Sequence, residues 1–196
     1  MKEKTTPNIP TRERLLLAAQ DIMAESGLEA LNSNAIVERA GVTPPSFYHY
    51  FQNKHALLRE LGTRMMLAQS EALRADTGLR ITTEADLHAA SLRTLRESFK
   101  MTRAFRGGYA LLVSLRAIPE LRDVRLESHA DMSILVAEYL KGQGLSENFD
   151  DLVVRSRLAL ELSYAAIEML FETNFKNQEA VLSYTADGLV KIYDLF

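Results

Sequence analysis

From Thr11 almost to the carboxyl terminus, apolar residues recur at three- and four-residue spacing, the period of helices buried on one side. Leu15, Ala19, Ile22 and Met23 mark a first helix that Thr11 is placed to cap and Ser26-Gly27 to end. Asn32 is placed to cap a short second helix, residues 33–40, which Gly41 stops. Thr43-Pro44 opens a third, proline standing where a missing N–H costs nothing, and that helix ends by Gln52-Asn53. A long fourth helix is predicted from Lys54 to Asp76, with Leu57, Leu58, Leu61, Met65, Ala68 and Ala72 inward and Thr77-Gly78 as its break. Further helices are predicted over 83–102, 109–117 (after Gly107-Gly108), 119–141, 148–173 and 177–195. No alternating stretch lies between hairpin turns, so the fold class is all-α, about nine helices and no sheet.

The last two helices carry apolar or small residues on more than one side. On the first of them, Ser156, Ala159, Ser163 and Ala166 form a small stripe, and Val153, Leu160, Tyr164, Ile167 and Phe171 a bulky one. Two such faces need two covers. A core on one side and a second copy of the chain on the other satisfies both, which predicts a homodimer through the last two helices, with Tyr184 and Gly188 joining the small stripe. A helix at the centre of a monomeric bundle is the alternative.

Composition narrows the function. The chain has 196 residues, 47% hydrophobic and 25% charged, which suits an ordinary globular protein. With no cysteine there is no disulfide scaffold, thiol nucleophile or thiolate metal site, and four scattered histidines lack metal-ligand spacing. No cofactor or metal is expected. No apolar run is long enough to span a bilayer and the amino terminus lacks a signal-peptide stretch, so a cytoplasmic protein without membrane contact is expected. The net charge of −3 gives no hint of nucleic acid. It averages two unlike regions, however. Residues 39–59 contain no Asp or Glu but do contain Arg39, Lys54, Arg59 and two histidines, as a surface facing phosphate requires. Residues 98–119 are equally free of acids, so charge alone does not choose between them.

Three short helices with a tight turn at Gly41 fit a helix-turn-helix, whose last helix lies in the DNA major groove. Ser33, Asn34, Thr43, Ser46 and Lys54 stand at helix starts, where donors and cations meet phosphate. More specific is the string itself. Ala19, Gly27, Ile36, Ala40-Gly41-Val42, Thr43, Ser46, the run Tyr48-His49-Tyr50-Phe51, and Asn53-Lys54 followed by Leu57-Leu58 resemble the DNA-binding domain of the TetR family of bacterial transcriptional repressors. The resemblance covers about residues 11–60. Two positions depart from the family pattern: Val37 replaces the usual alanine, and Pro44-Pro45 opens the recognition helix where many members carry a polar residue and glycine.

Residues 1–9, short, polar and proline-containing, read as a flexible tail, and the resemblance implies a helix-turn-helix domain (10–54) and an effector-binding and dimerisation domain (55–196). It implies that Ser33, Asn34, Thr43, Tyr50 and Lys54 hold the phosphate backbone, Thr43 also capping its helix. Pro44, Pro45, Ser46, Tyr48 and His49 would face or flank the groove of a palindromic operator, with apolar reading at the prolines. Phe47 and Phe51 are expected in the core.

For a small, hydrophobic effector the candidate contacts are Phe99, Phe105, Tyr109, Leu112, Arg116, Met132, Tyr164, Glu168 and Met169, with Met65, Met101 and Phe171 beside them. Arg116 wants either an anionic ligand group or a carboxylate such as Glu161 or Glu168, and Arg103 and Arg106 suit the junction with the DNA-binding helices. The mechanism implied is release of a repressor by the effector. An activator on the same fold, or an all-α carrier or enzyme with purely structural amino-terminal helices, are the alternatives; no catalytic constellation is visible, so no enzyme is expected.

Overall fold

The computed structural model describes residues 9–75 and 80–196. The predicted end of the fourth helix at Asp76, its break at Thr77-Gly78 and most of the predicted tail lie outside the described residues. Within them the chain forms nine α-helices and no strand. They are α1 (Thr11–Ser26), α2 (Ser33–Ala40), α3 (Pro44–Tyr50), α4 (Lys54–Ala75), α5 (Glu84–Ala104), α6 (Gly108–Ala117), α7 (Arg122–Gly142), α8 (Phe149–Glu172) and α9 (Gln178–Tyr193).

Two boundaries differ from expectation. Pro10, not Thr11, occupies the position before α1, and its fixed φ of −54° leads the chain into the helix without a side-chain cap. Pro119 starts a separate 3-10 turn, Pro119–Leu121, because the chain must bend before α7 can begin at Arg122. Elsewhere the polar punctuation works locally. Asn32 accepts from the Ala35 N–H, and Thr83 and Asp86 form a reciprocal capping box at α5. Gly41 holds φ +61°, a left-handed geometry that costs glycine little. Arg14 of α1 reaches across to donate to the Gly41 carbonyl at 2.9 Å and to that of Ala40, anchoring the turn between α2 and α3.

Phe47 of α3 is fully buried with Leu15, Leu16, Ile36, Leu57 and Leu58. The same core continues without a break past residue 54 through Leu61 and Met65 to α6, α7 and α8. A second core joins α5, α7, α8 and α9. Because α4 has its amino-terminal half in the three-helix head and the rest against the bundle, it is the beam both parts share. The corner between α5 and α6 docks on α1: Arg106 pairs with Asp21 and with Glu25 (3.1 Å), and its carbonyl accepts from Gln20 at 3.4 Å.

Candidate DNA-binding face and interior cavity

The head presents a donor-bearing surface around α3; residues 39–59 hold no acid themselves, but the fold pairs Arg39 with Glu25 at 2.8 Å and Arg59 with Asp123 at 2.6 Å, so these two cations are not left for phosphate alone. Thr43, Pro44, Pro45, Tyr48, His49 and Tyr50 are exposed, Ser46 is half-buried, and Asn34 is exposed beside the half-buried Ser33 in the first turn of α2. Burial alternates with helical phase: Phe47 is locked into the core, which turns its neighbour Tyr48, 59% exposed, outward with its ring edge-on to Phe47 at 5.3 Å.

Two side chains are placed differently from the simple expectation. Thr43 sits at the N-cap position, yet its side chain accepts no backbone N–H; its Oγ1 pairs with Ser46 Oγ at 2.9 Å instead. Prolines fill the first two helical positions, so the usual capping donor at the second does not exist. Lys54 donates its Nζ to the Leu31 carbonyl at 3.0 Å, tying the start of α4 to the loop before α2. Arg14 is the residue the sequence reading overlooked; a cation four residues into an amphipathic helix gives no sign that its partner is a turn further along the chain.

The bundle holds a cavity of about 470 Å³, partly open to solvent, between α4, α5, α7, α8 and α9. Of the residues expected around a ligand, Met132 and Tyr164 line it, as does Met101. The others do not. Phe99, Tyr109 and Phe171 form their own aromatic cluster, with Tyr109 stacked on Phe171 at 5.3 Å and donating to Glu172 at 3.0 Å. Burial, and then Glu172, push the Tyr109 pKa up. Leu112 is core, and Phe105 packs against that same core. Met65 is likewise buried away from the cavity, and Met169 faces outward. Arg116 meets Glu168 at 3.2 Å and Glu161 at 3.9 Å, so its partners are internal carboxylates and neither it nor Glu168 reaches the cavity. For Tyr109, Leu112 and Arg116 the cause is that α6 packs into the core between α1, α4, α5, α7 and α8 instead of walling the cavity.

The small stripe of α8 is also placed differently. Ser156, Ala159 and Ala166 are buried inside the chain, and Ser156, Ala159 and Ser163 line the cavity. Their small side chains leave the volume open. What α8 shows outward is Val154, Leu158 and Leu162 at four-residue spacing, with Met169 two turns further on, a pattern present in the sequence but hidden behind the stronger inner stripes. On α9, Tyr184 is exposed, and Gly188 lies with Leu162 about 3.5 Å from where its β-carbon would be.

Beside the cavity, Glu161 gathers basic side chains from two helices: the guanidiniums of Arg125 at 3.0 Å and Arg157 at 2.9 Å and the buried imidazole of His129 at 3.1 Å. Burial works to raise the Glu161 pKa, but these partners outweigh it and hold it low. Burial pushes the His129 pKa down to about 4, against the pull of Glu161. The Tyr164 hydroxyl, buried nearby, donates to Gln69.

A helix-turn-helix head joined by one continuous helix to an all-α bundle with an internal cavity defines the class of one-component DNA-binding regulators. Residues 15–61 match the family described as bacterial regulatory proteins, tetR family. Over 174 residues it is 27% identical to the HTH-type transcriptional regulator UidR of Escherichia coli K12, covering 85% of each chain. It is 38% identical over 63 residues to the class A tetracycline repressor protein from transposon 1721 in Escherichia coli, 32% of this chain and 27% of that one. In fold it is similar to the fatty acid degradation regulator FadR of Bacillus halodurans (TM-score 0.71, 20% identity, 94% of this chain and 97% of that one). A second solved structure, the SmeT–triclosan complex, matches with TM-score 0.69 and 18% identity over 92% of this chain and 90% of that one. The chain thus carries a TetR-type helix-turn-helix head and is similar over most of its length to a helix-turn-helix transcriptional regulator.

Proposed function

We propose that this protein acts as a homodimeric repressor that binds a palindromic double-stranded operator and leaves it when a small hydrophobic effector enters the bundle. In this reading residues 10–54 are the DNA-binding domain and 55–196 the effector and dimerisation domain, working in the cytoplasm. Tyr48, His49, Pro44, Pro45 and Ser46 face the groove, and Ser33, Asn34, Thr43, Tyr50 and Lys54 lie along the phosphates, Lys54 keeping its Leu31 contact. Two copies meet through the outward face of α8 (Val154, Leu158, Leu162, Met169) and through Tyr184 and Gly188 of α9. Pairing would bury these aliphatic residues, which are otherwise left in water.

The observation that carries the reading is the shared helix. Lys54 at one end of α4 bonds within the head, while Gln69, Ala72, Leu73 and Ala75 further along line the cavity. A ligand that favours one setting of α4 thereby favours one spacing of the two recognition helices. The triclosan bound in one structural neighbour and the tetracycline repressor among the relatives agree with a small-molecule effector. A mobility-shift titration with DNA flanking the protein's own gene, at two salt concentrations, tests it. Salt-sensitive, fragment-selective binding that apolar compounds reverse is the expected result; binding of no fragment, or salt-independent binding, refutes it.

A further inference from the structure

We propose that the cavity selects uncharged apolar molecules that carry a single hydrogen-bond acceptor, and that Gln69 reads that acceptor. The inference rests on the cavity being the effector site of the proposed function.

Most of the wall is aliphatic, built by residues such as Leu73, Ile81, Leu95, Met132, Leu140 and Ile167. The polar groups buried in that wall are Gln69, Ser156, Tyr164 and Tyr193, and none is charged at neutral pH. Arg93 and Glu97 add one charge of each sign on neighbouring turns of α5, so the lining has no net charge. Away from Arg93 and Glu97 on α5, an anion or cation entering this space would surrender its hydration without a counter-charge.

Two of the four buried polar groups serve each other, since the Tyr193 hydroxyl donates to Ser156 at 3.4 Å. The other two belong to a chain with a fixed direction. Tyr164 donates to the Gln69 amide oxygen at 2.5 Å, the Gln69 amide nitrogen donates to Thr102 Oγ1 at 3.2 Å, and Thr102 donates to the Ser98 carbonyl at 2.9 Å. The Thr102 proton is committed to Ser98, so the atom facing Thr102 must be a donor. That sets the amide orientation, nitrogen toward Thr102 and oxygen toward Tyr164. Tyr164 and Thr102 have each used their single proton. An amide nitrogen has two, and only one goes to Thr102. Among the fully buried groups at this end of the cavity the second N–H of Gln69 is therefore the donor left for a guest, the half-buried hydroxyls of Thr94 and Ser98 standing further toward solvent, and it matches an uncharged oxygen acceptor such as a ketone, ester or ether. A guest held there bonds directly to α4, the helix shared with the head.

Calorimetric titration of the full-length protein without DNA tests this with four probes: methyl octyl ketone, decanoate, decylammonium and propylbenzene. The ketone should bind at least about tenfold more tightly than either charged probe. The double variant Gln69→Met with Tyr164→Phe removes donor and acceptor together and keeps the shapes, so it avoids stranding a buried hydroxyl. It should weaken the ketone about tenfold while propylbenzene, which has no oxygen, stays within about twofold. Decanoate binding as tightly as the ketone, or an unchanged ketone affinity in the double variant, overturns the role of Gln69 and leaves the cavity as an effector site. If none of the four binds, propylbenzene included, the effector-site reading falls together with this one.

Discussion

A β-carbon added to Gly107 would stand 2.9 Å from Cβ of Met23 and 3.1 Å from the carbonyl oxygen of Gln20. Gly107 also holds φ +73°, so two independent reasons require glycine where the α5–α6 corner meets α1. Gly107→Ala should destabilise the protein by about 1–3 kcal/mol. Gly142→Ala, where a β-carbon would find nothing within 4 Å, is the control and should stay within about 0.5 kcal/mol of wild type. Urea unfolding of both variants checks the pair. Equal stabilities would mean that the corner does not rest on α1 as described.

Phe47 and Tyr48 are adjacent in sequence and opposite in task. Phe47 is fully buried, so Phe47→Ala should cost about 3–5 kcal/mol and unfold the head at modest temperature. Tyr48→Ala should leave stability within about 0.5 kcal/mol, because the ring is already exposed. Its operator affinity should nonetheless fall about tenfold or more, as read by mobility shift. Wild-type affinity in Tyr48→Ala would remove this side chain from the DNA contact.

His129 makes stability depend on pH. Its folded pKa, lowered to about 4 by burial despite the adjacent Glu161, lies below the ordinary value of 6.5. Between those values the unfolded chain binds a proton that the folded chain refuses, so stability falls as the pH is lowered through that window. The difference corresponds to about 3 kcal/mol for this group. Glu161, held below its ordinary value by His129 and the arginines, pushes in the same direction at lower pH. His129→Gln keeps a donor for Glu161 but does not titrate. Its melting temperature should therefore drop less than that of wild type between about pH 7 and about pH 4.5. Parallel curves in scanning calorimetry would exclude His129 as the cause.

Leu158 stands on the outward face of α8 and is 56% exposed in the single chain. Leu158→Glu should convert a dimer to a monomer in sedimentation experiments, with an unchanged helical spectrum, because one carboxylate per copy would be buried without a partner. Operator affinity should fall with it. A variant that still sediments as a dimer would place the contact elsewhere.

How much of this was legible beforehand follows from the range of the interactions. The helices of the head could be read because their punctuation is local: Asn32, Gly41 and the Pro44-Pro45 pair act within a few residues of themselves. The family string was dense in the same region. The cavity was not legible, because the void depends on which helix faces which. Ser156, Ala159 and Ser163 read as a stripe for close helix approach, and that pattern does not distinguish a neighbouring helix from open volume. Phe99 and Tyr109 looked like ligand contacts because aromatic residues serve packing and binding alike; here they stack on Phe171. Gln69 carried no sign at all. Its partners, Thr102 and Tyr164, are far along the chain, and only the packed bundle brings them within hydrogen-bond reach.

The crossing of α4 and α6 has a mechanical consequence. At Gly62 a β-carbon would lie 2.7 Å from Leu115 Cδ2, so glycine lets α6 approach α4 closely there, and a tilt of α4 about that contact would make it a fulcrum. With a rise of about 1.5 Å per residue, Lys54 lies about 12 Å from the fulcrum on one side and Gln69 about 10 Å on the other. The two arms are nearly equal. If α4 tilts as a rigid body about that contact, it would act as a balance arm, returning a displacement at Gln69 to Lys54 at nearly the same size and in the opposite sense.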